Sequence, residues 1–228
     1  MFDMQPEIFD YQIFPRRWGG CNSTLLEAHR NMAFDLAHMD APRPAWEHTQ
    51  IKVLFGDKAT DDSRRIDNVA ELILALQQRF PTYRFVNKVL SHLTAREQLE
   101  EMSSTTIFIS PHASSSFRMV YLPNAAHVII VGPPEMDGHA PEQAFNEIDD
   151  CWDHVPYFSV GRYHVTERSE YVVRFERGYR VDNPEIVAYY HWFDSDSHIL
   201  ADKLGDLIAE GVRKIMAQTR PGSLSAAR

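Results

Sequence analysis

The sequence predicts an α/β protein built on a Rossmann-like parallel sheet with helices on both faces. Three observations predict it. Between residues 50 and 165 short apolar runs alternate with helix-periodic segments, as in βα units joined by right-handed crossovers. Runs such as Val128-Ile129-Ile130-Val131 are continuously apolar, which suits strands covered on both faces. The run Thr106 to Ile109 then breaks into Ser110-Pro111-His112-Ala113-Ser114-Ser115-Ser116, a small-residue turn that leads into a helix.

Residues 1–49 read as an N-terminal arm and helix. Pro6, Pro15 and Gly19-Gly20 make the first part irregular. Asn22 or Ser23 can cap a helix to about Met39, with Leu25, Leu26, Met32, Ala33 and Leu36 on one face. Pro42 and Pro44 stiffen the connector that follows. Ile51 to Phe55 is the first strand, closed by Gly56-Asp57, and Lys58 to Arg65 is a polar loop. From Ile66 the apolar positions Val69, Ala70, Ile73, Leu74 and Phe80 keep helical spacing until Pro81 stops them.

Tyr83 to Val89 is the second strand. Thr94-Ala95-Arg96-Glu97 is a capping-box pattern that starts a short helix through Met102. Thr105 to Ile109 is the third strand, 114–122 a helix, and His127 to Val131 the fourth strand. Together these make 50–165 one Rossmann-like domain. Phe145 to His154 reads as helical, and strands are expected at 157–165 and 170–175. Residues 166–228 form a C-terminal extension. Its long helix, from about Ile199 to Met216, aligns Leu200, Leu204, Leu207, Ile208, Val212 and Ile215 before a disordered tail.

The formal net charge of −9 over 228 residues argues against nucleic-acid partners, which need clustered basic surface. Cys21 and Cys151 lack metal-ligand spacing and read as reduced thiols. Met1 to Glu7 does not open a signal peptide, and no apolar run approaches the ~18 residues of a membrane span. The expected location is cytoplasmic, or the secretory pathway if the chain is a fragment.

The strand-turn-helix at Ser110 to Ser116 offers unpaired N–H groups and a partial positive charge, a fit for phosphate. Arg64 and Arg65 follow the first strand, where a guanidinium fork can grip a diphosphate. A salt bridge to Asp61, Asp62 or Asp67 is the structural alternative. Asn68 can reach the ligand, or it can pair with Glu71 to shape the helix start. His112, at the mouth of a strand, is the candidate catalytic group. Ser114, Ser115 and Ser116 supply a cap and phosphate contacts. Asp194-Ser195-Asp196 with His198 has the look of a metal-binding Asp-x-Asp, yet it directly precedes the long helix, where Asp and Ser serve as caps. The capping reading is preferred, and no metal is assigned.

Four segments in order carry a resemblance. Arg64-Arg65-Ile66-Asp67-Asn68-Val69-Ala70-Glu71-Leu72 resembles the Arg-Arg-x-x-Asn-x-x-Glu-Leu stretch of the family-61 glycosyltransferases. Ala95-Arg96-Glu97-Gln98-Leu99 is similar to that family's Glu-Gln helix start. Ile107 to His112 is similar to its strand leading into Pro-His-Gly-Ala-Gly-Leu, and Leu122-Pro123-Asn124-Ala125-Ala126-His127-Val128-Ile129 to its Pro-x-Gly-Ala-x-Val-Ile. The resemblance covers about 50–165. It implies the C-terminal, donor-binding half of an inverting, two-Rossmann (GT-B) transferase. The nucleotide sugar would be a substrate, with a glycan or other hydroxyl as acceptor and no cofactor.

The chain departs from that pattern in two ways. Ala113 and Ser115 stand where the family's turn has glycine, and glycine there allows close backbone approach. The residues ahead of the first strand are also too few for a second Rossmann half. These departures motivate the alternative of a non-catalytic nucleotide-sugar-binding remnant. A dinucleotide fold is disfavoured, because Gly56-Asp57-Lys58 stands where Gly-x-Gly-x-x-Gly would follow the first strand.

Overall fold

Strands β1 (Lys52–Asp57), β2 (Arg84–Val89), β3 (Ile107–Pro111), β4 (Ala126–Pro134) and β5 (Phe158–Val165) form one sheet in the order β2-β1-β3-β4-β5. Every pairing in it is parallel. The computed structural model describes residues 23–58, 65–111, 114–134, 158–165, 171–172 and 196–218. The expected helix at 145–154, the C-terminal tail, Cys21 and Cys151 lie outside them. The architecture is the expected α/β, Rossmann-like one. No described helix is long and apolar enough to cross a membrane.

Both faces of the sheet are covered. Register aligns Val53, Ile107, His127 and Ser159 on one face and Leu54, Phe108, Val128 and Val160 on the other. The central strands are apolar on both sides, and Val53, Leu54, Ile107, Phe108, Val128 and Ile129 are all fully buried. Each such side chain contributes about 1.5–3 kcal/mol of burial. On the first face α2 (Val69–Arg79) packs beside α4 (Ala201–Ala217), and α4 lies along β4 and β5. On the other, α1 (Ser23–Leu36), α3 (Ala95–Ser103) and the segment Ser114–Tyr121 pack together. That last segment is a 3₁₀ helix rather than an ordinary α turn, so it is wound more tightly.

The local signals mostly acted as read. The Thr94 hydroxyl accepts the Glu97 N–H, and the Glu97 carboxylate accepts the Thr94 N–H at 2.8 Å, so the capping box of α3 is complete. α2 ends at Arg79, ahead of Pro81. α1 closes with His38 at φ 53° and a Met39 N–H donated to the Phe34 carbonyl, the Schellman arrangement. Ala125, at φ 64°, takes the left-handed region in the turn before β4, at the position where the quoted family motif has glycine. Two side chains did not behave as expected. Asn68 makes no cap bond to α2, and α4 starts at Leu200 without a side-chain cap, so Asp196 does not cap it.

Candidate functional site

In the order 2-1-3-4-5 the connections leave β1 and β3 in opposite directions, and ligands of such sheets sit outside the carboxyl ends at that point. Asp57 and Lys58 close β1 here, and Pro111 closes β3. The Phe55–Ile109 register holds these ends level. Gly56 is required by packing, since a Cβ there would meet the Phe108 ring at 2.6 Å.

Arg65 is the best-defined candidate of this rim. Its N–H donates to Asp196 Oδ1 at 2.8 Å and its carbonyl accepts the Ser197 N–H at 2.7 Å. The main chain is therefore fixed from a distant part of the sequence. The guanidinium is held less firmly. Its Nε lies 3.9 Å from Asp57 Oδ1 and, although buried, has no hydrogen-bond partner among the described residues. Asp57 is occupied elsewhere, accepting the Lys58 N–H on Oδ1 at 2.8 Å and Asn87 Nδ2 on Oδ2 at 3.2 Å. Of the three expected salt-bridge partners, Asp61 and Asp62 lie outside the described residues. Asp67 meets His198 Nδ1 at 3.0 Å instead.

A strand-like clamp runs from Arg65 to Asn68 against Asp196 to Ile199. Ile66 bridges Ser197, the Asp67 N–H donates to the Ser197 carbonyl, and β7 (Asp196–Ser197) pairs with β6 (Tyr171–Val172). Asn68 finishes the clamp. Its Nδ2 donates to the Ile199 carbonyl at 2.8 Å, and its Oδ1 accepts the Ile199 N–H at 3.0 Å. Both ends of the buried amide thus hold backbone, a complete pairing of the kind buried polar groups need. The Leu200 N–H donates to the Tyr163 hydroxyl at 2.9 Å, which seats the start of α4 on β5. Of the Asp-x-Asp cluster, Asp194 and Ser195 are outside the described residues, and Asp196 and His198 work within the clamp.

Arg64 and His112 lie outside the described residues. The backbone of Ser114, Ser115 and Ser116 opens the 3₁₀ helix directly after β3, at the expected rim. Sequence reasoning passed over Arg118, one turn further along that helix. Its Nε–H donates to Gln98 Oε1 at 2.8 Å, and Gln98 Nε2 donates to the Leu93 carbonyl at 2.9 Å. Burial lowers the Arg118 pKa, opposed by Tyr121 and, among the described residues, by no carboxylate. The only signal in the sequence was a lone arginine inside an apolar helical run.

The fold is that of a doubly wound α/β protein, with the Arg65 guanidinium beside Asp57 at the end of β1. The family model described as Glycosyltransferase 61 matches residues 11–129, just over half of the 228, and the chain belongs to that family. The match begins ahead of α1 and ends within β4, further toward the N-terminus than the resemblance over 50–165. No curated protein matches the sequence significantly. Membership carries glycosyltransferase-type function, with a sugar donor and an acceptor as substrates.

Proposed function

We propose that the chain binds a nucleotide-diphosphate sugar at the rim formed by β1 and β3. It would serve as the donor-binding half of a GT-B transferase, passing the sugar to a hydroxyl acceptor with inversion. One observation carries the reading: Arg65 has a main chain locked by Asp196 and Ser197 and, among the described residues, a guanidinium Nε–H without an acceptor. In the transfer the acceptor oxygen bonds the anomeric carbon as the bond to the diphosphate breaks, leaving charge on the diphosphate. Arg64 and Arg65 neutralise that charge, helped by N–H groups of the segment opening at Ser114, with no metal ion required. His112 acts at the sugar–phosphate junction and receives the acceptor's proton. Ser115 and Ser116 line the phosphate, and Asn68 serves by keeping the clamp beneath Arg65 in register.

The test is isothermal titration with a panel of nucleotide sugars, followed by donor-hydrolysis and transfer assays. Arg65→Gln should weaken binding roughly 10-fold or more, the scale of a lost charge-assisted bond, with the thermal midpoint nearly unchanged. A variant that unfolds yet keeps its affinity would make Arg65 structural. Binding with no turnover would favour the remnant reading, which Ala113 and Ser115 in place of glycine support.

A further inference from the structure

We propose that Arg118 is a second diphosphate contact, approaching from the β3 side of the rim and aimed by Gln98. The inference rests on the donor-binding reading and adds a residue to it.

The argument starts from charge. Each of the other buried or nearly buried cations described here has a carboxylate near it: Lys52 has Glu101, Arg30 has Glu27 and Arg65 has Asp57. Arg118 is partly buried, and its one partner among the described residues is the neutral Gln98 amide. Burial disfavours its charge, and among the described residues no carboxylate offsets that. A guanidinium has five N–H donors and stays protonated. A strut between the 3₁₀ helix and α3 would need one donor and no charge. A cation carried into a partly buried place without a counter-ion fits an anion that comes from outside.

Position selects the anion. The 3₁₀ helix leaves the carboxyl end of β3, and Gln98 lies one turn inside α3, which follows the carboxyl end of β2. Arg118 is therefore on the same edge of the sheet as Arg65, on the opposite side of the switch point, and about 8 Å along the helix from Ser114. Gln98 fixes the direction. Because its Nε2 is bonded to the Leu93 carbonyl, its Oε1 faces Arg118 and takes only the Nε–H. No described residue takes the terminal nitrogens, which form a fork, the geometry that meets phosphate oxygens in pairs. A diphosphate spanning the rim would lie between Arg65 and Arg118.

Inorganic pyrophosphate and a set of nucleoside diphosphates, titrated calorimetrically into the full chain, test this. The wild type should bind, and Arg118→Gln should lose roughly 10- to 100-fold in affinity. Arg118→Lys should recover part of that loss. Gln98→Glu is the decisive variant, because it gives Arg118 an internal carboxylate. It should melt within a few degrees of wild type yet bind pyrophosphate at least about 10-fold more weakly. Should Arg118→Gln fail to fold, Gln98→Glu still decides. Unchanged affinity in folded Gln98→Glu, or in Arg118→Gln while Arg65→Gln loses binding, overturns the inference and leaves the donor reading intact. A wild type that binds none of these anions overturns both.

Discussion

At the amino-terminal edge of the sheet, Lys52 gives its Nζ donors to the Glu101 carbonyl at 3.0 Å, the Glu101 carboxylate at 2.7 Å and the Ser104 hydroxyl at 2.7 Å. Arg30, at the same edge, donates to the Leu122 carbonyl at 3.2 Å and to Asn124 Oδ1 at 2.8 Å. At the carboxyl edge, Arg65 stands off its carboxylate at 3.9 Å, and Arg118 meets, among the described residues, only an amide. Both edges bring cations out of water, which is costly unless they are paired. On the first edge Lys52 is met by an ordered set of acceptors that holds α3 to the sheet, and Arg30 ties α1 to the Leu122–Asn124 turn. On the other, among the described residues, no acceptor meets Arg65 Nε and Arg118 is met by the Gln98 amide, which suits the ligand proposed there.

Three measurements sharpen or break that contrast, the largest effect first. His127, near the amino end of β4, donates to or accepts from Ser159 Oγ at 2.8 Å, and a Cβ at Gly211 would collide with its ring. Burial, aided by Lys214 and opposed by Glu210 and Ser159, lowers its pKa from 6.5 to about 4. The unfolded chain therefore takes up this proton first. The stability tied to the neutral ring is full above about pH 6.5 and falls as pH drops toward about 4, by up to roughly 3 kcal/mol. Urea unfolding across that window should show the loss in wild type and a flatter profile in His127→Gln. Equal slopes would place the cause elsewhere.

Lys52→Ala should lower stability by about 2 kcal/mol, the scale of unmaking a buried charged pairing, and leave pyrophosphate affinity unchanged. A matching loss of affinity would end the division between the two edges. The smallest effect is a gain. Ala125 sits at φ 64° between an Asn124 carbonyl that accepts the Ala45 N–H and the start of β4. Ala125→Gly should relieve roughly 0.5–1 kcal/mol of left-handed strain, net of glycine's entropy, and raise the thermal midpoint slightly. A lower midpoint would show that the turn is not strained.

The frame was legible because it follows from local periodicity. Thr94 to Glu97, Pro81 and the apolar runs each act within a few residues, and each appeared where expected. The rim was less legible because its contacts cross long stretches of chain. Asp196 read as a cap or metal ligand, since a carboxylate before a helix looks the same in either role, yet it accepts the N–H of Arg65 from 131 positions away. Asn68 read as a cap partner for the same reason, and its amide pairs with Ile199 instead. Asp57 is close in sequence to Arg65, but Asp61, Asp62 and Asp67 lie nearer along the chain and were the expected partners. Arg118 gave no pattern at all, because a single charge in an apolar helix shows its meaning only when the absence of a neighbouring carboxylate is seen.

The join between Arg65–Asn68 and Asp196–Ile199 also bears on synthesis. A nascent chain can assemble β1, α2 and β2 long before Ile199 has left the ribosome, yet the bonds from Arg65 and Asn68 to Asp196 and Ile199 must wait until then. Pairings this distant in sequence are the slow ones to form. The paired strands β1 and β2 would thus be in place during translation before the Arg65–Asn68 backbone is fixed, because that fixing waits for Asp196–Ile199.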